Sequence, residues 1–185
     1  MRVLGISGSL RERSHNRALL EAAAELLPPG VELELFDGLA DVPLYNEDID
    51  HDRPPAGVRE LREAIERADA LLFATPEYNG SVPGVLKNAV DWASRPAREG
   101  ALWGKTAAVM GASTGAYGAL WAQTDLRRAL GVAGARVLAA DLPVARAHEQ
   151  LDATGRPLDD ATAERLADHL RALVELAQPQ EAVAA

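Results

Sequence analysis

The chain has 185 residues, of which 48% are hydrophobic and 25% charged, and its formal net charge is −9. This composition is ordinary for one globular domain with its own apolar core. The lack of cysteine excludes disulfides, thiolate nucleophiles and zinc–thiolate sites, so redox chemistry would need a bound cofactor. The acidic balance argues against nucleic acid and anionic membranes as partners. Because we find neither a membrane-spanning apolar run nor a leader pattern, we expect a cytoplasmic protein.

Apolar periodicity predicts five strands that alternate with helices. The strands are predicted at "RVLGIS", "VELELF", "ALLFAT", "TAAVMGAS" and "ARVLAADL". Helices are predicted from Ser14 up to "PPG", around residues 58–65, after Pro83, at "ALWAQTDLRRAL" and over residues 161–176. Continuous apolar runs are typical of parallel strands covered on both faces. We therefore predict an α/β fold with a parallel, doubly wound sheet, as a single domain over residues 1–178 with a frayed tail at 179–185.

Sheets of this kind bind ligands beyond the carboxyl ends of their strands, which singles out the loops after strands 1, 3 and 4. The first loop, "GSLRERSHN", offers polar side chains at Ser9, Ser14 and Asn16 beside a helix N-terminus, where an anion is favoured. Arg11 can bind a phosphate through two hydrogen bonds. Neither the dinucleotide nor the P-loop glycine pattern is present. The loop indicates a phosphate site, although a helix cap with a solvated arginine patch explains it equally well.

The second loop begins "PEYNGS" and leads into a helix near Pro83. Pro76 and Gly80 predict a rigid turn that places Tyr78 and Asn79 at the edge of the sheet. Such a turn can offer backbone hydrogen bonds and an aromatic surface to a flat heteroaromatic ring. The alternative is a solvent-exposed turn before the helix.

The third loop, "GASTGAYG", fits the G-x-S-x-G pattern, in which Ser113 would be a hydrolase nucleophile. Asp141, followed by His148 or His169, could complete the required chain order. The chain is short for that fold, however, and no HGGG-type segment precedes the serine. The apolar neighbours of His169 in the final helix also indicate a packed or solvated side chain. We therefore retain a serine hydrolase only as a lesser alternative.

Taken together, "GISGSLRERSHNRALL", "ATPEYNGSVPGVLKNAVDWASRP" and "GASTGAYGALWAQTDLR" resemble the NADPH-dependent FMN reductase family. This flavodoxin-like group includes quinone, chromate and azo-dye reductases, and the likeness extends over residues 1–175. It implies a five-stranded parallel sheet in the order 2-1-3-4-5. It also implies an FMN-dependent oxidoreductase that takes electrons from NADPH or NADH. A ping-pong cycle would pass them to quinones, flavins or similar small acceptors. The flavin performs the chemistry, so no protein residue is predicted to be catalytic and no metal is required.

The resemblance also implies which residues hold the cofactor. The FMN phosphate would be held by Ser9, Arg11, Ser14, His15 and Asn16. The isoalloxazine ring would be lined by Pro76, Glu77, Tyr78 and Asn79, and its other edge would be closed by Ser113 and Gly115. Where the family commonly has paired glycines, this chain has Gly118-Ala119, followed by Leu120 and Trp121. We therefore expect the pocket over the flavin to have its own shape.

A homodimer or homotetramer with the flavin near an interface is implied as well. Tyr45 and Trp92 are candidate contacts, although Trp92 at helical spacing also fits a core position. The charged loop "YNEDIDHDRPP", which contains His51, could border the site or an interface, or lie in solvent. A non-enzymatic electron carrier is the main alternative, because an acidic surface suits docking to a basic redox partner.

Overall fold

The protein is described over residues 1–178 by a computed structural model, and the predicted frayed tail lies outside the described residues. Five parallel strands form one sheet in the order β2-β1-β3-β4-β5, which confirms the predicted topology. The strands are β1 (Arg2–Ser7), β2 (Glu32–Phe36), β3 (Ala70–Ala74), β4 (Thr106–Ala112) and β5 (Arg136–Val144). The α-helices are α1 (His15–Leu26), α2 (Ala56–Arg67), α3 (Gly84–Ala93), α4 (Leu120–Val132), α5 (Ala147–Gln150) and α6 (Asp160–Ala177).

Helices cover both faces of the sheet. Every residue of β3 and β4 is buried, as their continuous apolar sequences predict. Alternate residues of β3 enter two separate cores: Leu71 and Phe73 pack with α2, α3 and α4, whereas Leu72 packs with α1 and α6. The edge strands β2 and β5 are partly exposed. The central strands therefore form a rigid support for the loops at their carboxyl ends.

The segment between β2 and α2 packs against α3. It contains two 3-10 turns, Gly38–Asp41 and Glu47–Ile49. Trp92 has no exposed surface, and its Nε1 donates to the carbonyl oxygen of Pro43 at 2.7 Å. The half-buried ring of Tyr45 meets Trp92 edge-on, with centroids 4.9 Å apart. The core position of Trp92 is confirmed, and its role as a subunit contact is wrong because no part of the side chain is accessible.

The further differences from the sequence prediction are small. The strand β5 continues to Val144, two residues beyond the predicted apolar run. The four-residue helix α5 was not predicted, because one turn is too short to produce a periodic pattern. No helix within residues 1–178 has the length and apolar character needed to cross a bilayer.

Candidate cofactor site

The three loops singled out from the sequence meet around one cleft of about 140 Å³ at the carboxyl edge of the sheet. All of the predicted site residues line this cleft except Asn79 and Gly115. Ala112 and Thr114 line it as well and were not predicted. Thr114 could have been found from its place beside Ser113. Ala112 carries no functional group on its side chain, so nothing in the sequence marks it as a site residue.

The first turn of α1 provides a polar wall of the cleft. Ser14 is the N-cap, and its Oγ accepts a hydrogen bond from the backbone N–H of Arg17 at 3.3 Å. The preceding N–H groups of a helix have no intrahelical acceptor, and both His15 and Asn16 border the cleft. These donors, together with the positive end of the helix dipole, suit a phosphate.

The three arginines near this turn have different surroundings. Arg17 is paired with Glu21 at 3.0 Å and also with Asp37, whose hydrogen bond raises the pKa of the Arg17 guanidinium. Arg13 lines a neighbouring cavity with Asp152 rather than the cleft. Arg11 is exposed and lines the cleft itself. Of these three side chains, that of Arg11 is therefore placed to reach an anion in the cleft.

The side chain of Asn16 is engaged within the protein. It is buried, and both ends of its amide are hydrogen-bonded to the backbone of Ala112 at 2.9 Å. The predicted contact between Asn16 and a phosphate would therefore have to use its backbone N–H.

The segment between β3 and α3 contains a tight hairpin, and we call residues 76–81 the ring loop. Tyr78 and Ser81 exchange two backbone hydrogen bonds of 3.1 and 3.2 Å, and Asn79 and Gly80 have φ values of 53° and 74°. Two successive positive φ values define a type I′ turn, which Asn-Gly strongly favours. The turn holds Asn79 at an exposed tip, and the half-exposed ring of Tyr78 borders the cleft.

Glu77 faces both the cleft and the next helix. Its Oε2 accepts hydrogen bonds from the backbone N–H groups of Trp121 at 3.0 Å and Ala122 at 3.1 Å. The carboxylate therefore caps the N-terminus of α4 from a different loop.

The loop after β4 is fixed by backbone contacts. Ser113 N donates to Val144 O at 3.1 Å, and Arg146 N donates to Gly115 O at 2.9 Å. Gly115 thus supports the loop from outside the cleft, whereas Ser113 lies at its wall.

The surroundings of Ser113 do not form a hydrolase triad. Arg127 engages Asp141, with Nε 2.8 Å from Oδ1 and Nη2 donating to Oδ2 at 3.1 Å. His169 is buried, and desolvation lowers its pKa to about 4. Within residues 1–178, no hydrogen bond joins Ser113 Oγ to Asp141, His148 or His169. The base and the orienting acid that activate a nucleophilic serine are therefore not assembled around it.

Comparison with known proteins supports the flavin interpretation. The family model for NADPH-dependent FMN reductases matches residues 1–149. The chain belongs to this family. It is 49% identical over 174 residues to an NAD(P)H-dependent FMN reductase of Pseudomonas aeruginosa, covering 94% of this chain and 93% of that protein. It is 46% identical over 125 residues to a quinone reductase of Pseudomonas putida, covering 68% of this chain and 67% of that protein.

A solved structure extends the comparison to the fold. The chain matches FerB, a flavoenzyme NAD(P)H:acceptor oxidoreductase from Paracoccus denitrificans, with a TM-score of 0.83 and 37% identity. The match covers 95% of this chain and 96% of FerB. The flavodoxin-like fold implied by the resemblance is thus confirmed. This FMN reductase family member is an oxidoreductase that uses FMN and NAD(P)H.

The residues of the cleft fit this cofactor. The start of α1, with Arg11, supplies donors for a phosphate, as described above. Beside the cleft lies a mainly apolar cavity of about 410 Å³, which shares Arg11 and Tyr78 with it. Its other walls come from Gly8, Leu10, Pro83, Gly84 and Val85. A polar cleft continuous with an apolar surface matches the two ends of FMN, a phosphate and a flat ring.

Proposed function

We propose that this reductase transfers electrons from NADH or NADPH to quinones, flavins or similar small acceptors in a ping-pong cycle through FMN. The observation that carries the proposal is the meeting of the first turn of α1, the ring loop and the loop after β4 around one cleft. FMN supplies the hydride and electron transfer, and the protein binds and orients it. No acid or base from the chain is required, so we assign no catalytic residue.

The lining of the cleft supports the following binding roles. The phosphate would be held by Ser9, Arg11, Ser14 and His15, and also by the backbone N–H of Asn16. Pro76, Glu77 and Tyr78 would line the ring, and Ser113 would close its far edge. Asn79 and Gly115 would act indirectly, through the type I′ turn and through the support of the loop after β4.

A flat, small acceptor suits the part of the apolar cavity that the flavin ring would leave open. Leu10 and Tyr78 are 53% and 50% exposed there, so a planar apolar molecule could cover surface that water now contacts. The name of the Pseudomonas putida relative, a quinone reductase, supports the same class of acceptor. We extend this to the present chain as a proposal.

A homodimer or homotetramer is part of the proposal. Tyr117, just before α4, and Trp121, in its first turn, are 60% and 52% exposed, and both are close in sequence to the loop that borders the cleft. Large exposed aromatic side chains favour burial against a second copy. Tyr45 remains a candidate contact. We place the protein in the cytoplasm, where NADH and NADPH are supplied to enzymes of this kind.

The test begins with the visible absorbance spectrum of the purified protein before and after addition of FMN. We expect flavin bands that survive desalting, and release of FMN rather than FAD on heating. Oxidation of NADH or NADPH with a quinone and no partner protein should then be measured. FMN binding without such turnover would favour the electron carrier, and a colourless protein that ignores FMN would overturn the flavin function.

A further inference from the structure

The N-terminus of α4 lacks a capping side chain of its own. Its N-cap is Ala119, which adopts a left-handed conformation with φ 60° and has no side-chain oxygen. Helices usually begin with Ser, Thr, Asp or Asn, whose side chains accept hydrogen bonds from the first free N–H groups. In this protein the acceptor comes from a residue more than 40 positions earlier in the chain, Glu77.

Two contacts join the ring loop to α4. The first is the Glu77 carboxylate on the N–H groups of Trp121 and Ala122, at 3.0 and 3.1 Å. The second is the hydroxyl of Ser81, which donates to Asp125 Oδ2 at 2.8 Å. Only the first of these places a charge against the helix end while also lining the cleft. Because the N-terminus of a helix is partially positive, the carboxylate is stabilised there.

We propose that Glu77 is a positioning residue of the flavin site, which fixes the ring loop on α4 and neutralises the positive end of that helix beside the ring. The proposal rests on the proposed function. Pro76 and Tyr78, the neighbours of Glu77, both line the cleft, so a displaced Glu77 would displace both of these walls. The carboxylate acts through the backbone of α4 rather than on the substrate.

The charge of Glu77 has a consequence that a purely structural tether would not have. Removing it leaves the positive end of α4, which Glu77 links to the cleft, without this counter-charge. A positive field favours negative charge on the reduced ring, which makes the bound FMN easier to reduce. The midpoint potential of the bound flavin therefore distinguishes the effect of the Glu77 charge from the effect of its side-chain shape.

The experiment compares the wild type with Glu77→Gln, Glu77→Ala and, as a control, Ser81→Ala, each as the full chain. The Kd for FMN and the midpoint potential of bound FMN are measured for all four proteins. Gln keeps an oxygen that can accept from α4, so we expect FMN affinity within about threefold of wild type and a more positive potential. Ala removes the tether, and we expect FMN affinity to fall by roughly tenfold. Ser81→Ala removes the second tether without removing a charge and should leave the potential unchanged.

The outcomes are distinct. If the wild type binds FMN and Glu77→Gln leaves the potential unchanged, the charge role of Glu77 is overturned and the proposed function stands. If Glu77→Ala and wild type bind FMN equally, the tether role is overturned and the proposed function stands. If Glu77→Ala fails to fold, Glu77→Gln still decides through the potential. If the wild type itself does not bind FMN, the proposed function fails and the role of Glu77 fails with it.

Discussion

Asn16 and Ala112 are joined by two hydrogen bonds that link the start of α1 to the end of β4. Asn16 Nδ2 donates to Ala112 O, and Ala112 N donates to Asn16 Oδ1, each at 2.9 Å. The two residues are 96 positions apart, and Asn16 is only 3% exposed. An amide side chain carries both a donor and an acceptor, as this pairing requires. The first turn of α1 and the loop after β4 are therefore held in a fixed relation.

Asn16→Ala should lower the free energy of unfolding by about 2–4 kcal/mol, because it leaves a buried N–H and a buried C=O of Ala112 without partners. Urea unfolding of the protein without added FMN measures the change. Asn46→Ala is the control, since Asn46 is exposed and accepts one hydrogen bond, from Asp48 N at 3.0 Å. We expect it to cost about 1 kcal/mol or less. Equal losses in the two variants would contradict a special role for the Asn16 pairing.

Arg11→Ala should weaken FMN binding by about 1.5–3 kcal/mol, the range for a hydrogen bond to a charged group. Titration of the apoprotein with FMN, followed by flavin fluorescence, measures the effect. Arg13→Ala is a matched control, because it removes the same charge from the same loop but from a different cavity. We expect it to change affinity little. Equal weakening in both variants would indicate the overall field of the loop rather than a contact from Arg11.

Ala119→Gly should change stability by less than about 1 kcal/mol, although Ala119 is buried. Its left-handed φ of 60° costs an L-residue roughly 1–2 kcal/mol, which glycine relieves. The lost methyl burial and the greater freedom of the unfolded chain oppose this gain. Ala122→Gly, at a buried and regular position of the same helix, should instead cost about 2 kcal/mol. Thermal or urea unfolding compares the two, and a larger loss at Ala119 would contradict the assignment of strain.

His169 should make the protein less stable in mild acid. Burial lowers its pKa to about 4, below the value of about 6.5 in an unfolded chain. Between these pH values the unfolded state binds a proton that the folded state does not, so stability decreases as the pH falls through this window. The loss between pH 7 and pH 4.5 should be about 2–3 kcal/mol.

His169→Leu provides the comparison for that prediction. The variant has no group that titrates at this position, so its urea unfolding free energy should fall less over the same pH range. Carboxylates elsewhere contribute equally to both proteins and cancel in the difference. Parallel pH profiles for the wild type and the variant would show that His169 does not contribute.

The sequence is informative where a feature depends on neighbours along the chain. The strands β3 and β4 are buried on both faces, and their apolar runs are visible without a structure. The turn at Asn79 is likewise encoded locally, because Asn-Gly favours the two positive φ values found there. The sequence cannot reveal that Asn16 is used by Ala112 or that Glu77 caps α4. Each of these contacts joins positions that only the folded sheet brings together.

The cleft draws its walls from residues 9–16, 76–78 and 112–114, and these segments meet only after β1, β3 and β4 have assembled. With FMN bound in this cleft, as proposed above, an unfolded chain has no place for the cofactor, which then acts as a ligand of the native state alone. At a free FMN concentration one hundred times the Kd, binding adds about 2.7 kcal/mol to the stability of the protein. The supply of flavin in a cell would thus affect the stability of this reductase as well as how fast it works.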